Sequence, residues 1–152
     1  MVTQFRLAAF AVAALVVVGA GQAFALWPFT APPRLATTPA YGGVCEECNL
    51  AGRDLSGARM TNSVFNRSDF SNAKMASANA SGSAFAEANF TGADLRGTRF
   101  AQADVTSANF SGANIAGADL ETAEGLTQRQ LNGACGDYTT RVPRGMRVRE
   151  CE

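Results

Sequence analysis

The sequence predicts an all-β solenoid: a chain that turns once every five residues around its own apolar core, with a short helix closing its C-terminal end. Three observations predict it. A large apolar residue returns at every fifth position from Leu50 to Leu120, with one lapse at Ala80. A small residue, mostly Ala, Ser or Thr, stands two places before it. Glycine recurs at the last place of the five, at Gly52, Gly57, Gly82, Gly92, Gly97, Gly112 and Gly117, where a corner would need permissive backbone angles.

The chain has 152 residues, enough for one domain and a targeting segment. Arg6 supplies a positive start, Leu7 to Ala20 form an apolar stretch, and Ala23-Phe24-Ala25 fits a small-residue cleavage site. Residues 1–25 are therefore expected to be a signal peptide, cut after Ala25, which places the protein in the periplasm or outside the cell. No Cys follows the apolar stretch directly, which argues against a lipidated N-terminus. The competing reading is an uncleaved anchor. Leu7 to Trp27 has only Gln22 as a strongly polar interruption and could just span a bilayer. Membrane attachment is expected only in that case. Residues 26–44 carry Pro28, Pro32, Pro33 and Pro39, show no periodicity, and read as an extended linker.

Composition narrows the function classes. Thirteen Lys and Arg balance thirteen Asp and Glu, which gives no reason to expect nucleic-acid binding. There is no His, so the commonest general base and metal ligand are missing. Gly, Ala, Ser and Asn are abundant, as in a disordered linker, but the fixed apolar spacing rejects that reading.

From Cys48 to Thr122 the chain divides into fifteen successive fives. The clearest run is Ala88-Asn-Phe-Thr-Gly, Ala93-Asp-Leu-Arg-Gly, then Ala108-Asn-Phe-Ser-Gly, Ala113-Asn-Ile-Ala-Gly and Ala118-Asp-Leu-Glu-Thr. A period of five suits neither regular element. In an α-helix, five residues advance about 500°, so successive centres rotate by about 140° and never form a stripe. In a flat strand, an odd spacing alternates faces. A chain that keeps every fifth residue inside must wind around its own core.

The unit Ala-(Asp/Asn)-(Leu/Phe)-x-Gly resembles the pentapeptide-repeat family. The resemblance covers about half of the chain. It implies a right-handed quadrilateral β-helix: four units per coil, centre and minus-two side chains inside, the other three outside, and a little under four coils. One independent check supports four sides. At a spacing of 20, three pairs of central Phe coincide, against two each at 5, 10 and 15. Winding at 20 gives interior columns Leu50, Phe70, Phe90, Phe110; Leu55, Met75, Leu95, Ile115; Met60, Ala80, Phe100, Leu120; and Phe65, Phe85, Val105. Rings stacked at the ~4.7–4.9 Å strand spacing would lie in the range of offset aromatic pairs. Ala80 should leave a gap beside Met60 and Phe100, into which Met can flex. Outside, Arg67 is expected to pair with Glu87. Arg53, at an interior position of the first coil, is expected to escape through the open N-terminal end.

At the C-terminal end, Thr127-Gln-Arg-Gln130 fits a capping box with Leu126 and Leu131 as a hydrophobic staple. A helix is expected over about Gln128–Ala134, stopped by Gly136. The segment from Leu131 through Cys135-Gly-Asp137 to Pro143-Arg-Gly-Met and Cys151 is similar to the ending of many bacterial pentapeptide-repeat proteins, which implies a cap. Residues 45–122 are thus read as the repeat domain and 123–152 as the cap and tail. Export favours disulfides among the four cysteines. Cys135–Cys151 is expected, closing 15 intervening residues, worth roughly 3 kcal/mol in the chain-entropy model, with Cys45–Cys48 the remaining pair.

Each functional reading has a plainer competitor. Cys45-Glu-Glu-Cys48 has the spacing of a thiol–disulfide exchange site, but that chemistry wants a helix N-terminus and Cys48 opens the first repeat. A structural pair is preferred. A zinc site of four Cys would need both ends of the rod to meet. Catalysis lacks a nucleophile–base pair. Some family members mimic DNA and bind DNA gyrase with an acidic surface; here the repeats carry seven acidic and six basic residues, a net of −1, and the signal segment points out of the cytoplasm. The basic tail (Arg141, Arg144, Arg147, Arg149) reads as a solvated loop rather than a lipid or glycan contact. The sequence thus points to a non-catalytic structural or protein-binding solenoid of the cell envelope, with no cofactor, no metal, no nucleic acid and an unknown protein partner. An end-to-end homodimer is a further arrangement it admits. A thiol-redox protein through Cys45 and Cys48 is the runner-up, and a DNA mimic follows if the signal is misread.

Overall fold

The computed structural model describes residues 43–152. The expected signal peptide and most of the linker lie outside the described residues.

Parallel bridges join residues 20 apart from Val44↔Val64 through Asp104↔Glu124, so one coil takes twenty residues and four five-residue sides. The backbone amides explain why five residues suffice for a side. In the unit from Ala88 to Gly92, Ala88 donates to Phe85 O across the preceding corner at 3.0 Å, and Asn89 donates to Ser68 O in the coil below at 3.0 Å. Phe90 and Gly92 donate to Asn109 O and Ser111 O in the coil above, at 2.8 and 2.9 Å. The fifth amide, Thr91, donates to Asn89 Oδ1 at 3.1 Å. Every amide of the unit has a partner, and the last one needs an Asn or Asp side chain. The same side-chain turn recurs at Asn49, Asp54, Asp69, Asn79, Asp94, Asp104, Asn109, Asn114 and Asp119.

Each unit ends in a corner with positive φ. From Glu47 to Gly117 every fifth residue has φ between 52° and 69°. Seven are the glycines of the repeat; the rest, Glu47, Asn62, Arg67, Asn72, Ser77, Glu87, Gln102 and Ser107, carry side chains in a region that costs roughly 1–2 kcal/mol each. The coil ladder imposes the conformation there.

The interior holds the centre and minus-two side chains. Phe70, Met75, Ala80, Phe85, Phe90, Leu95, Phe100, Val105, Phe110, Ile115 and Leu120 are buried, as are Leu55, Met60 and Phe65; Leu50, in the first coil, is partly buried. Three ring pairs stack nearly parallel: Phe65–Phe85, Phe70–Phe90 and Phe90–Phe110, with centroids 5.4, 5.1 and 5.2 Å apart. These are the three pairs that coincide at a spacing of 20. Beside Ala80, Phe100 turns edge-on to Phe85 and Phe90, at 5.7 and 5.9 Å. Where the minus-two residue is polar, its hydroxyl is spent inside. Ser68 and Thr98 donate to Cys45 O and Met75 O at 2.7 Å, and Ser83 donates to Met60 O.

The C-terminal end departs from the repeat. Helix α1 spans Gln128–Asn132, with Thr127 as N-cap in a full capping box and Leu126 and Leu131 both buried. It ends earlier than the expected Ala134, and its stop is Gly133 rather than Gly136. The reason lies in the coil: Cys135 must leave the helix to bridge Asn114, taking Ala113 O at 3.0 Å and giving its own carbonyl to Ile115 N at 2.7 Å. Gly136 serves a different need. A Cβ there would lie 2.7 Å from Thr140 Oγ1 and 2.9 Å from Val148 Cγ1. Its strand, β1 (Cys135–Gly136), runs parallel to β2 (Arg149–Glu150).

Candidate functional site

The described chain offers three surfaces: the walls of the coil, its first corner, and the C-terminal cap.

The walls commit much of their polarity to themselves. Arg96 pairs with Asp94 in its own unit at 2.7 Å, and Arg141 reaches across coils to Asp119 at 3.1 Å and to Glu121. Arg67 pairs with Glu47 at 3.2 Å, not with the expected Glu87. Both carboxylates stand one coil from Arg67, on opposite sides, so the repeat itself offered two equivalent partners. Asp94 is held below the usual carboxylate value first by the Arg96 hydrogen bond, and Asp69 by the backbone N–H of Ser71. An acidic groove of the kind that imitates a phosphate backbone is not what these walls present: charges of both signs alternate and neutralise one another.

At the first corner Cys45 and Cys48 are joined, with Cα atoms 5.6 Å apart, and Glu46 and Glu47 lie between them. Cys48 N donates to Ser68 Oγ at 3.0 Å, and that hydroxyl donates to Cys45 O. The pair sits on a coil corner rather than at a helix N-terminus, and two flanking carboxylates disfavour a thiolate. Arg53, half-buried beside this end, gives its carbonyl to Lys74 N at 2.8 Å.

The cap closes the other end. Cys135 and Cys151 are joined, with Cα atoms 4.8 Å apart. The two cystines therefore lie in the first coil and beyond the last one, and among the described residues no group of three or more His, Cys, Asp or Glu converges as metal ligands would. Gln130 is the plug that sequence reasoning missed. Its Oε1 accepts from Thr127 N and Oγ1, at 2.8 and 2.7 Å, while its Nε2 donates to Val105 O and Ala108 O of the last coil, at 2.8 and 2.9 Å. Asp137 is a second node: its Oδ1 accepts from Gly117 N at 3.1 Å, from Thr139 N and Oγ1, and from Thr140 Oγ1. Those bonds, the Thr139 hydroxyl foremost, hold its carboxyl below the usual value. A groove of about 460 Å³ opens between the last coil and α1, lined by Thr106, Ser107, Ser111, Arg129 and Gln130 among others.

A winding unit of five residues, a filled interior and a capped end define a repeat solenoid. Pentapeptide repeats match in eight copies over residues 45–82 and 83–121, just over half of the chain, and the chain belongs to that family. Membership implies the β-helix solenoid. No curated protein matches. Among solved structures the chain is similar to Rfr23, a pentapeptide repeat protein from the cyanobacterium Cyanothece 51142, with 26% identity over 65% of this chain and 60% of that one, TM-score 0.27. It is also similar to alr5209, a pentapeptide repeat protein from Nostoc PCC 7120, with 25% identity over 67% and 73% of the two chains, TM-score 0.34. QnrB1, a plasmid-mediated fluoroquinolone resistance protein, is 19% identical over 62% and 80%, TM-score 0.27. The chain thus spans 60% of the length of Rfr23. The family assignment rests on the repeats, not on these superpositions.

Proposed function

We propose that the chain is an exported, non-catalytic scaffold of the cell envelope, cut after Ala25, whose right-handed quadrilateral coil binds a protein partner. The observation that carries this reading is the pair of cystines, one at each end of the described coil, in a chain whose first residues have the pattern of a secretory signal. The walls support the non-catalytic part: their carboxylates serve turns and ion pairs, and a rigid rod with a mixed polar surface is a common binding scaffold. The same features favour a structural role for Cys45–Cys48 over thiol exchange.

The test is the intact mass of the protein from its native host, with cell fraction recorded and thiols alkylated before unfolding. A chain beginning at Leu26, found in the envelope fraction with all four cysteines refractory, is the expected result. An uncut cytoplasmic chain with free thiols would overturn the reading and restore both thiol chemistry and DNA mimicry. Cross-linking in the same host would then capture the partner.

A further inference from the structure

At the groove between the last coil and α1, two backbone amides lose the partners that the coil above supplies elsewhere in the repeat. In the coil below, Glu87 N donates to Thr106 O and Phe90 N to Asn109 O, both at 2.8 Å. One coil higher, the equivalent donors are Ser107 N and Phe110 N. The chain above them has left the repeat: Glu124 O still meets Val105 N at 2.9 Å, and Gly133 O meets Gly112 N at 2.6 Å, but α1 lies between. Among the described residues neither Ser107 N nor Phe110 N has a hydrogen-bond partner. Both amides belong to the upper edge of the coil, and with no chain paired above them they are free to donate to solvent or to a ligand.

Further donors stand among the apolar and small residues of the groove. Arg129 lines it and is in no ion pair among the described residues. The hydroxyls of Thr106, Ser107 and Ser111 line it as well, and no carboxylate does. Gly125 makes the Thr106 wall available: a Cβ there would sit 2.0 Å from Thr106 Oγ1. The carboxylates beside the lining are Asp104, whose Oδ1 is committed to Thr106 N at 2.9 Å, and Glu124, which precedes Gly125 in the chain.

We propose that this groove binds a small polyhydroxylated carboxylic acid, a sugar acid. The Ser107 and Phe110 amides and the Arg129 guanidinium would receive the carboxylate. A planar fork beside backbone N–H groups matches an oxyanion, as at other backbone anion sites. The three hydroxyls would receive the ligand's own hydroxyls. A volume of about 460 Å³ accommodates one or two sugar rings.

The test is titration of the full-length, disulfide-intact protein followed through its backbone amide resonances. D-glucuronate and N-acetylmuramate are the two acidic probes, with N-acetylglucosamine as neutral control and acetate as bare carboxylate. Saturable shifts at the Ser107 and Phe110 amides with at least one sugar acid, and none with the neutral sugar, are expected. Whichever acid saturates first names the source. R129Q should weaken binding by about tenfold or more, and R144Q, outside the groove, should not change it. The same spectra report whether each variant remains folded. Unmoved amides, an equal response to the neutral sugar, or equal weakening by R144Q would overturn the site. Acetate binding as tightly as the sugar acids would overturn the role of the hydroxyls.

Discussion

At single positions, the repeat explains its corners better than its composition does. Glycine at a corner was legible because only glycine adopts positive φ without cost. The eight corners without glycine gave no such signal, since nothing in Arg67 or Glu87 announces φ near 60°. Replacing Glu87 by Gly is expected to stabilise the fold by about 0.5–1 kcal/mol, the αL cost less the glycine entropy. Gly112→Ala, whose Cβ would make only ordinary contact with Gly92 N at 3.8 Å, should cost about 1 kcal/mol, whereas Gly125→Ala, whose Cβ would meet Thr106 Cα at 2.8 Å, should cost about 2–4 kcal/mol. Denaturant melts of the three variants decide the order, and an equal cost for the two alanines would refute it. The Asn or Asp of most units was equally visible, but its task, satisfying the amide two residues on, appears only in the structure. It carries a pH dependence. Asp69, Asp94 and Asp137 all have lowered carboxyl values, so folding favours their charged forms. Stability should be fully present above the ordinary value of 3.8 and lost as pH falls through the lowered ones. Melting temperature is expected to stay level from neutral pH to about pH 5 and to drop below about pH 4, less steeply in Asp137→Asn.

At the scale of one element, the period of five showed that the unit centres lie inside, while their grouping into four columns came from the family resemblance and the coincidence of Phe at a spacing of 20. Phe90 stacks between Phe70 and Phe110 and meets Phe85 and Phe100 at its edges. Phe90→Ala should therefore cost about 3–5 kcal/mol, near the total stability of a small domain, and Phe90→Leu clearly less. A chemical-denaturation midpoint for each checks this. The cap helix was legible at its start and not at its end. Thr127 and Gln130 form the box that the pattern announced, but the pattern accepts Glu as readily as Gln. The coil beneath does not. Gln130→Glu keeps the acceptor to Thr127, removes both donors to Val105 O and Ala108 O, and brings a carboxylate towards two carbonyl oxygens. A loss of about 2 kcal/mol or more at neutral pH is expected, partly recovered in acid as the carboxyl regains a proton. A variant as stable as the parent would show that these two bonds do not plug the coil. The helix end escaped because Gly133 stops it so that Cys135 can bridge Asn114, twenty-one residues before it in sequence.

At the scale of the whole molecule, a solenoid carries two edges of unpaired backbone, and an edge left open recruits another chain. Here the upper edge is covered by irregular chain whose register slips: the bridges pass from a spacing of 20 to 21 at Cys135 and to 22 at Arg141. Such a covering has no repeat to hold it. It is held by the Cys135–Cys151 cystine, by the Gln128 side chain on both backbone groups of Arg147, and by Asp137 on Gly117 N. Replacing Cys135 and Cys151 by Ser removes a loop constraint worth about 3 kcal/mol in the chain-entropy model. Because the tail contributes Arg141 O to Leu120 N and Asp137 to Gly117 N, its release would uncover amides on two adjoining sides of the last coil. The double variant is therefore expected both to melt earlier and to associate with increasing concentration beyond the parent's state, as read by analytical ultracentrifugation. The Cys45–Cys48 cystine closes a span of only three residues and its replacement frees no edge amide, so that variant should keep the parent's association state. Association of both variants alike would locate the sticky surface elsewhere, and association of neither would mean that hydrogen bonds alone hold the cap in place.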